Sequence, residues 1–185
     1  MAIASPVWNK FLFSPWADES SNVTELNFSE DDGEAVLTLL NIAHSKFCDV
    51  PKTLDYKQLY QVSLLCEQYD CHTLVEPWLE DWLQNEIKDV NLFATVEWLH
   101  IAWAFGKEDI FRRRAEILVR QIEITEGGKP FVIANVSLPD SMPDKLLTSI
   151  LTIRDVTVRK LLELPYSKLD HYSRGDGTVC RRKRD

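Results

Sequence analysis

The chain is predicted to be mainly α-helical with at most short residual strands, and three features predict it. Apolar residues recur at three- and four-residue steps through most of the length. Capping residues stand where helices would begin, and prolines and glycines where they would end. Strand-like alternation never lasts more than a few residues. The expected layout is a helical domain over 1–88, a helical C-terminal extension over 89–173 and a flexible basic tail over 174–185.

The first helix is expected to open at Ser5-Pro6, where serine caps and proline suits the first turn. Val7, Trp8, Phe11 and Leu12 share its spacing, and Ser14-Pro15 ends it. An acidic loop from Asp18 to Asn22 leads into a short strand over Val23 to Phe28. Ser29 is the expected cap of the next helix, with Glu30, Asp31, Asp32 and Glu34 at the positive end of its dipole. Its apolar stripe runs Val36, Leu39, Leu40, Ala43, Phe47. Beyond Pro51, Asp55 or Thr53 begins a helix that buries Leu59, Val62, Cys66 and Tyr69.

A further helix carries Val75, Trp78, Leu79 and Trp82, with Pro77 tolerated near its start. Phe93, Val96, Trp98, Leu99, Ala102 and Trp103 continue the helical pattern to a stop at Gly106. Glu108 to Ile124 follows as a helix bearing Arg112-Arg113-Arg114, read as exposed charge with ordinary partners. Gly127-Gly128-Lys129-Pro130 reads as a turn, Phe131 to Ile133 as extended, and Pro139 to Pro143 as another turn. Asp144 opens a long helix through Leu146, Leu147, Ile150, Leu151, Val158, Leu161 and Leu162, which Pro165 should break or kink. Fraying is expected from Arg174.

Composition narrows the function classes. Hydrophobic residues at 45% and charged residues at 27% suit a globular core. A net charge of −8 argues against general nucleic-acid affinity, which needs concentrated Lys and Arg. The basic run Arg181 to Arg184 reads as a solvated tail, with a nuclear or nucleic-acid patch as the alternative. No stretch approaches the ~18 apolar residues of a membrane span. Met1 to Pro6 lacks the basic start and apolar run of a secretory leader. An intracellular protein, cytoplasmic or nuclear, with reduced Cys48, Cys66, Cys71 and Cys180 is the expectation.

Several residue groups have the right types for chemistry. His44, Cys48, Cys66, Cys71 and His72 suit zinc by type, but Cys66-x4-Cys71 is not tight metal spacing and Cys66 lies on an apolar face. Core thiols and no metal are expected. Asp70-Cys71-His72 are neighbours along the chain and do not present side chains to one another as a nucleophile and base must. Glu76, Glu80 and Asp81 read as a solvated face opposite Trp78 and Trp82. Gly127-Gly128-Lys129 lacks the rest of a phosphate loop. No catalytic or cofactor-binding residue is expected, and no cofactor. Trp16 is the tryptophan that a core explains least, because its loop is polar and acidic.

The order of these motifs resembles BTB/POZ domains, most closely in style those of filamentous fungi. Ala4-Ser5-Pro6-Val7-Trp8-Asn9-Lys10-Phe11-Leu12 is similar to the family's A-S-P-V helix. Leu26 to Asp32 resembles its strand-to-helix junction, while Ala35 to Ile42 and Leu65 to Cys71 resemble the helices that follow. The resemblance covers residues 4 to about 84 well and the stretch to about 165 more loosely. In the family a strand hairpin, a strand and a helix precede the A-S-P-V helix, so the resemblance implies either an N-terminally truncated domain or one that pairs with something replacing those elements. Lost cover over Val7, Phe11 and the inner face of Val36 to Phe47 implies a marginal N-terminal half, since each such burial contributes about 1.5–3 kcal/mol.

The resemblance implies a non-enzymatic module that binds other proteins, itself as a homodimer or a cullin, as scaffold or as substrate adaptor of a ubiquitin ligase. Cullin-binding members carry a hydrophobic-x-Glu motif after the A-S-P-V helix. Phe13 to Glu19 occupies that place, with Trp16-Ala17-Asp18 as the nearest fit, so Phe13, Trp16 and Asp18 are the implied partner-binding residues. A small enzyme whose site assembles only in three dimensions and a nuclear or DNA-associated protein stand as alternatives. No membrane partner is expected.

Overall fold

The computed structural model describes residues 3–13, 25–86, 94–124, 130–132, 136–137 and 144–173. It divides into two compact units, Met1–Pro139 and Asp140–Asp185. The first contains α1 (Pro6–Leu12), α2 (Gly33–Ala43), a 3-10 turn (Phe47–Asp49), α3 (Tyr56–Tyr69), α4 (His72–Leu83), α5 (Thr95–Ala104) and α6 (Glu108–Gln121). Three short antiparallel strands follow in the order β1 (Ile122–Ile124), β2 (Pro130–Val132), β3 (Val136–Ser137). The protein is therefore mainly helical, as predicted.

Helix α3 organises the first unit, packing against α1, α2, α4 and α5, and α5 packs in turn on α6. Its start is fixed by a capping box: Asp55 accepts from the Gln58 amide at 2.9 Å, and Gln58 accepts from the Asp55 amide at 3.1 Å. Its expected inner face, Leu59, Val62, Cys66 and Tyr69, is buried. It ends at Asp70 in the left-handed region (φ 49°), where the Cys71 amide donates to the Cys66 carbonyl at 3.0 Å. The core continues through Leu39 and Ile42 of α2, Val75 and Trp82 of α4, and Trp98 and Ile101 of α5. The Trp82 indole N–H donates to the Pro51 carbonyl at 2.8 Å, fixing the α2–α3 connection on α4.

Several boundaries differ from expectation. No strand forms over Glu25–Phe28: Asn27 accepts from the Ser29 amide at 2.8 Å, and the Asp31 amide donates to Phe28, turning the chain instead. The α2 cap is Asp32, not Ser29, its carboxylate accepting from the Ala35 amide at 2.9 Å. Helix α2 stops at Ala43 because Ser45 is left-handed (φ 59°) and the Lys46 amide returns to the Asn41 carbonyl. Phe47 therefore leaves the stripe and stands exposed against the Trp78 ring, 5.6 Å between centroids.

Pro77 is the sixth residue of α4 rather than near its start; it is exposed, so the carbonyl it frees is accessible to water. Helix α6 yields to β1 at Ile122, whose strand pairs Ile122 with Val132 and Ile124 with Pro130. Gly106 ends α5 as expected, at φ 63°. Expectations on Val23, Thr24, Phe93, Gly127 to Lys129, Ile133, Pro139 to Pro143 and 174–185 lie outside the described residues.

Among the described residues the second unit contributes one helix, α7 (Asp144–Ser173). It runs through Pro165 without ending there. Leu161, whose carbonyl loses its donor to that proline, is exposed, so water can serve it.

Candidate interaction surface

Helix α1 is short for a helix that must hold itself together, and Ser5 is what holds it. Its hydroxyl oxygen accepts from the Trp8 amide at 3.0 Å, capping the helix, while its proton is donated to the Tyr69 carbonyl at the end of α3. Trp8 is buried against the Tyr69 ring at 5.5 Å. The Tyr69 hydroxyl donates to Asp31, which also accepts from Gln68 at 3.2 Å, and Phe28 meets the same ring edge-on at 5.9 Å. Burial, then the Asp31 hydrogen bond, push the Tyr69 phenol above its ordinary pKa.

This anchoring leaves the other side of α1 outward. Phe11 is 49% exposed and Phe13, the residue that closes the helix, 69% exposed. Of the three residues expected to meet a partner, Phe13 is thus presented to solvent; Trp16 and Asp18 lie outside the described residues. Phe11 is half exposed, whereas Val36 on α2 is buried.

A groove of about 240 Å³ opens between α2, the 3-10 turn and the start of α3. Asp32, Glu34 and Asp49 supply its carboxylates, and Leu37, Leu54 and Val62 its apolar surface. Thr38 commits its hydroxyl proton to the Glu34 carbonyl at 2.9 Å, and Gln58 donates to Glu34 at 3.3 Å. No serine, cysteine or histidine lines this groove, so it lacks a nucleophile paired with a base.

Three polar clusters lie elsewhere in the first unit, and sequence reasoning missed two of them. His100 of α5 is buried, with Nδ1 3.2 Å from Ser63 Oγ and Nε2 3.0 Å from Glu67 Oε2. The Nε2 approach has the distance of an ion pair without hydrogen-bond alignment. Burial holds the imidazole below its ordinary pKa against the opposing pull of Glu67. Ser63 is itself buried and lies 2.7 Å from the Tyr60 carbonyl, a better acceptor for its proton than His100. The trio links α3 to α5. The one sequence sign of it was that Ser63 and Glu67 are four residues apart on a helix.

The second missed cluster is Glu86, buried just after α4. It takes Arg114 Nε on Oε1 at 2.8 Å and Arg113 on Oε2 at 2.8 Å, and its carbonyl accepts from Arg114 at 2.7 Å. Arg114 also lies over the Trp98 ring, 5.7 Å to the centroid. The arginine triplet is therefore not uniformly exposed charge. Arg112 pairs with Glu108 on the surface, but Arg114 falls one turn before Leu118 on the buried stripe.

The third cluster is Cys66 with Cys71, both fully buried free thiols. Their mutual hydrogen bond holds Cys71 below the usual thiol range and Cys66 far above it, with burial adding to the rise at Cys66. Cys48 and His44 are exposed and do not join them. Among the described residues no three His, Cys, Asp or Glu side chains are grouped as metal ligands, and no helix is long and apolar enough to cross a membrane. Glu76, Glu80 and Asp81 are exposed while Trp82 is buried, as the helical spacing predicted.

No family model, curated protein or solved structure matches this chain.

Proposed function

We propose that this chain is a non-enzymatic protein–protein interaction module of the BTB/POZ type, serving as a scaffold or as a substrate adaptor of a cullin-based ubiquitin ligase. The observation that carries this reading is the construction of α1. Ser5 and Trp8 lock one face onto the end of α3, and Phe11 and Phe13 are left outward directly ahead of Trp16-Ala17-Asp18. Aromatic side chains held in place by a rigid anchor are the residues that dominate binding energy at protein interfaces. Pulldown with a cullin N-terminal region tests it. Wild type binds, and Phe13→Ala and Trp16→Ala each lose at least about 30-fold, the effect of removing a hot-spot aromatic. Negligible binding by all three removes the ligase-adaptor role.

A second reading, an enzyme whose site assembles only in the fold, draws on Ser63, His100 and Glu67. It requires Ser63 to become reachable from solvent. Labelling of wild type but not Ser63→Ala by a serine-directed fluorophosphonate supports it, and absence of labelling removes it.

A further inference from the structure

We propose that the groove between α2 and α3 binds a short extended segment of another protein, with the pattern basic-x-apolar-x-basic. Helix α2 lines the groove with Glu34, Leu37, Thr38 and Asn41, which share one face at three- and four-residue steps. Asp32 and Glu34 stand at the end where α2 begins. Asp49 stands at the other end, its backbone carbonyl 3.4 Å from Asn41 Nδ2. Between them the surface is apolar: Leu37 is 58% exposed, and Leu54 and Val62 are buried beneath it. Carboxylates thus flank an apolar centre over about 10 Å, the rise from Glu34 to Asn41 at ~1.5 Å per residue.

Charge complementarity calls for a cation at each end. Among the described residues, Asp32, Glu34 and Asp49 form no ion pair, and no Lys or Arg lines the groove. Lys46, Lys52 and Lys57 are close along the chain but outside the lining. The helix dipole offers about half a positive charge at the start of α2, which offsets only part of the two carboxylates there. A nucleic acid would add its own negative charge to this surface. A volume of about 240 Å³ suits one apolar side chain rather than a drug-sized ligand, whose sites begin near 300 Å³.

An extended peptide supplies this spacing. Its first, third and fifth side chains face one way, and the outer two stand about 13 Å apart at ~3.3 Å per residue. Flexible Lys or Arg stems take up the small difference. Asn41 favours an extended backbone over a helical one. It is buried, its amide nitrogen is spent on Asp49, and its Oδ1 accepts no hydrogen bond among the described residues. An extended segment has a backbone N–H to give it, whereas a helix has committed its own. No two Lys or Arg residues of this chain stand four apart, so neither a second copy nor the basic run at 181–184 offers the pattern. Nothing here depends on the α1 surface, so loss of peptide binding and loss of cullin binding are separate results.

Fluorescence polarisation of the full chain with a fluorescein-labelled Ala-Arg-Ala-Leu-Ala-Arg-Ala peptide at low salt tests it. Wild type should bind saturably, with a Kd below about 1 mM. Glu34→Lys/Asp49→Lys should weaken binding at least ~10-fold, because it sets like charges against both arginines. Glu76→Lys/Glu80→Lys makes the same change in net charge on exposed residues of α4 and should stay within ~2-fold of wild type. Replacing the leucine of the peptide with serine should weaken binding to wild type about 10-fold, a measurement that needs no variant protein. Absence of saturation up to 1 mM overturns the proposal, as does equal weakening by the two double variants. A serine peptide that binds as well as the leucine peptide also overturns it. Spermidine that displaces the peptide at an equal concentration overturns the assignment to a protein segment in favour of a polyamine.

Discussion

Replacing Glu86 with leucine removes the carboxylate that two arginines share while leaving Arg114 in place. Glu86 and Arg114 are 3% and 4% exposed, so neither charge can be hydrated in exchange. Breaking a buried pair by deleting one partner costs about 3–5 kcal/mol, most of it the uncompensated charge left behind. Arg114 keeps other interactions, among them the Glu86 backbone carbonyl at 2.7 Å and the Trp98 face, and Arg113 is half exposed, which places the expected loss at or below the lower end, ~3 kcal/mol. That is a large share of the ~5–15 kcal/mol that holds a domain folded. For a chain of this size it corresponds to a fall in Tm of about 6–12 °C.

Urea unfolding followed by tryptophan fluorescence measures it, with Arg112→Ala as the surface control expected within about 0.5 kcal/mol of wild type. Arg114→Met alone should also be costly, since it leaves the buried Glu86 without its buried cation and facing only the half-exposed Arg113 among the ion pairs described. The double variant Glu86→Leu/Arg114→Met should recover most of the loss, because apolar side chains of similar size replace both ions at once. If Glu86→Leu costs no more than Arg112→Ala, or if the double variant shows the simple sum of the singles, the buried-pair account is wrong.

Ser5→Ala should cost about 1–2 kcal/mol, because one hydroxyl both caps α1 and bonds the end of α3; urea unfolding reads it, and a neutral result would deny the double role. His100, held below its ordinary pKa by burial and flanked by Glu67, Ser63, Tyr60 and Trp103, stays neutral in the fold while the unfolded chain takes up a proton. The stability it contributes is present above about pH 6.5 and falls below it by up to ~1.4 kcal/mol per pH unit. His100→Gln should flatten that dependence and Glu67→Gln steepen it, in unfolding curves collected between pH 5 and 7.5. Cys48 should react with iodoacetamide in the native protein, whereas Cys66 and Cys71 should be alkylated only on unfolding, which peptide mapping by mass spectrometry resolves.

The helices were legible where a periodic apolar face and a cap coincided. Asp55 with Gln58, the buried row Leu59 to Tyr69 and the stop at Gly106 follow from local chemistry that tertiary contacts did not override. Boundaries moved where a side chain was drawn elsewhere. The expected cap Ser29 is drawn into a turn, its amide held by the Asn27 side chain and the Asp31 amide by the Phe28 carbonyl, so the cap passes to Asp32. Phe47 is diverted by a left-handed serine, a conformation the stripe gave no sign of. The exposed end of α1 was readable as a candidate site from Phe13 onward, but Glu86 and His100 were not. Each is polar in the interior because of a partner at least 27 residues distant, and spacing along one element carries no trace of that.

The position of Tyr69 bears on how the molecule comes apart. Its carbonyl holds Ser5, its ring holds Trp8 and Phe28, and its hydroxyl holds Asp31, so both α1 and the turn at Phe28 to Asp31 are tied to the last turn of one helix. Seven residues of α1 lack the length to persist alone. Unwinding of that single turn should release α1 and the Phe28 to Asp31 turn together, and the amide protons of α1 should then exchange no more slowly than those of the last turn of α3.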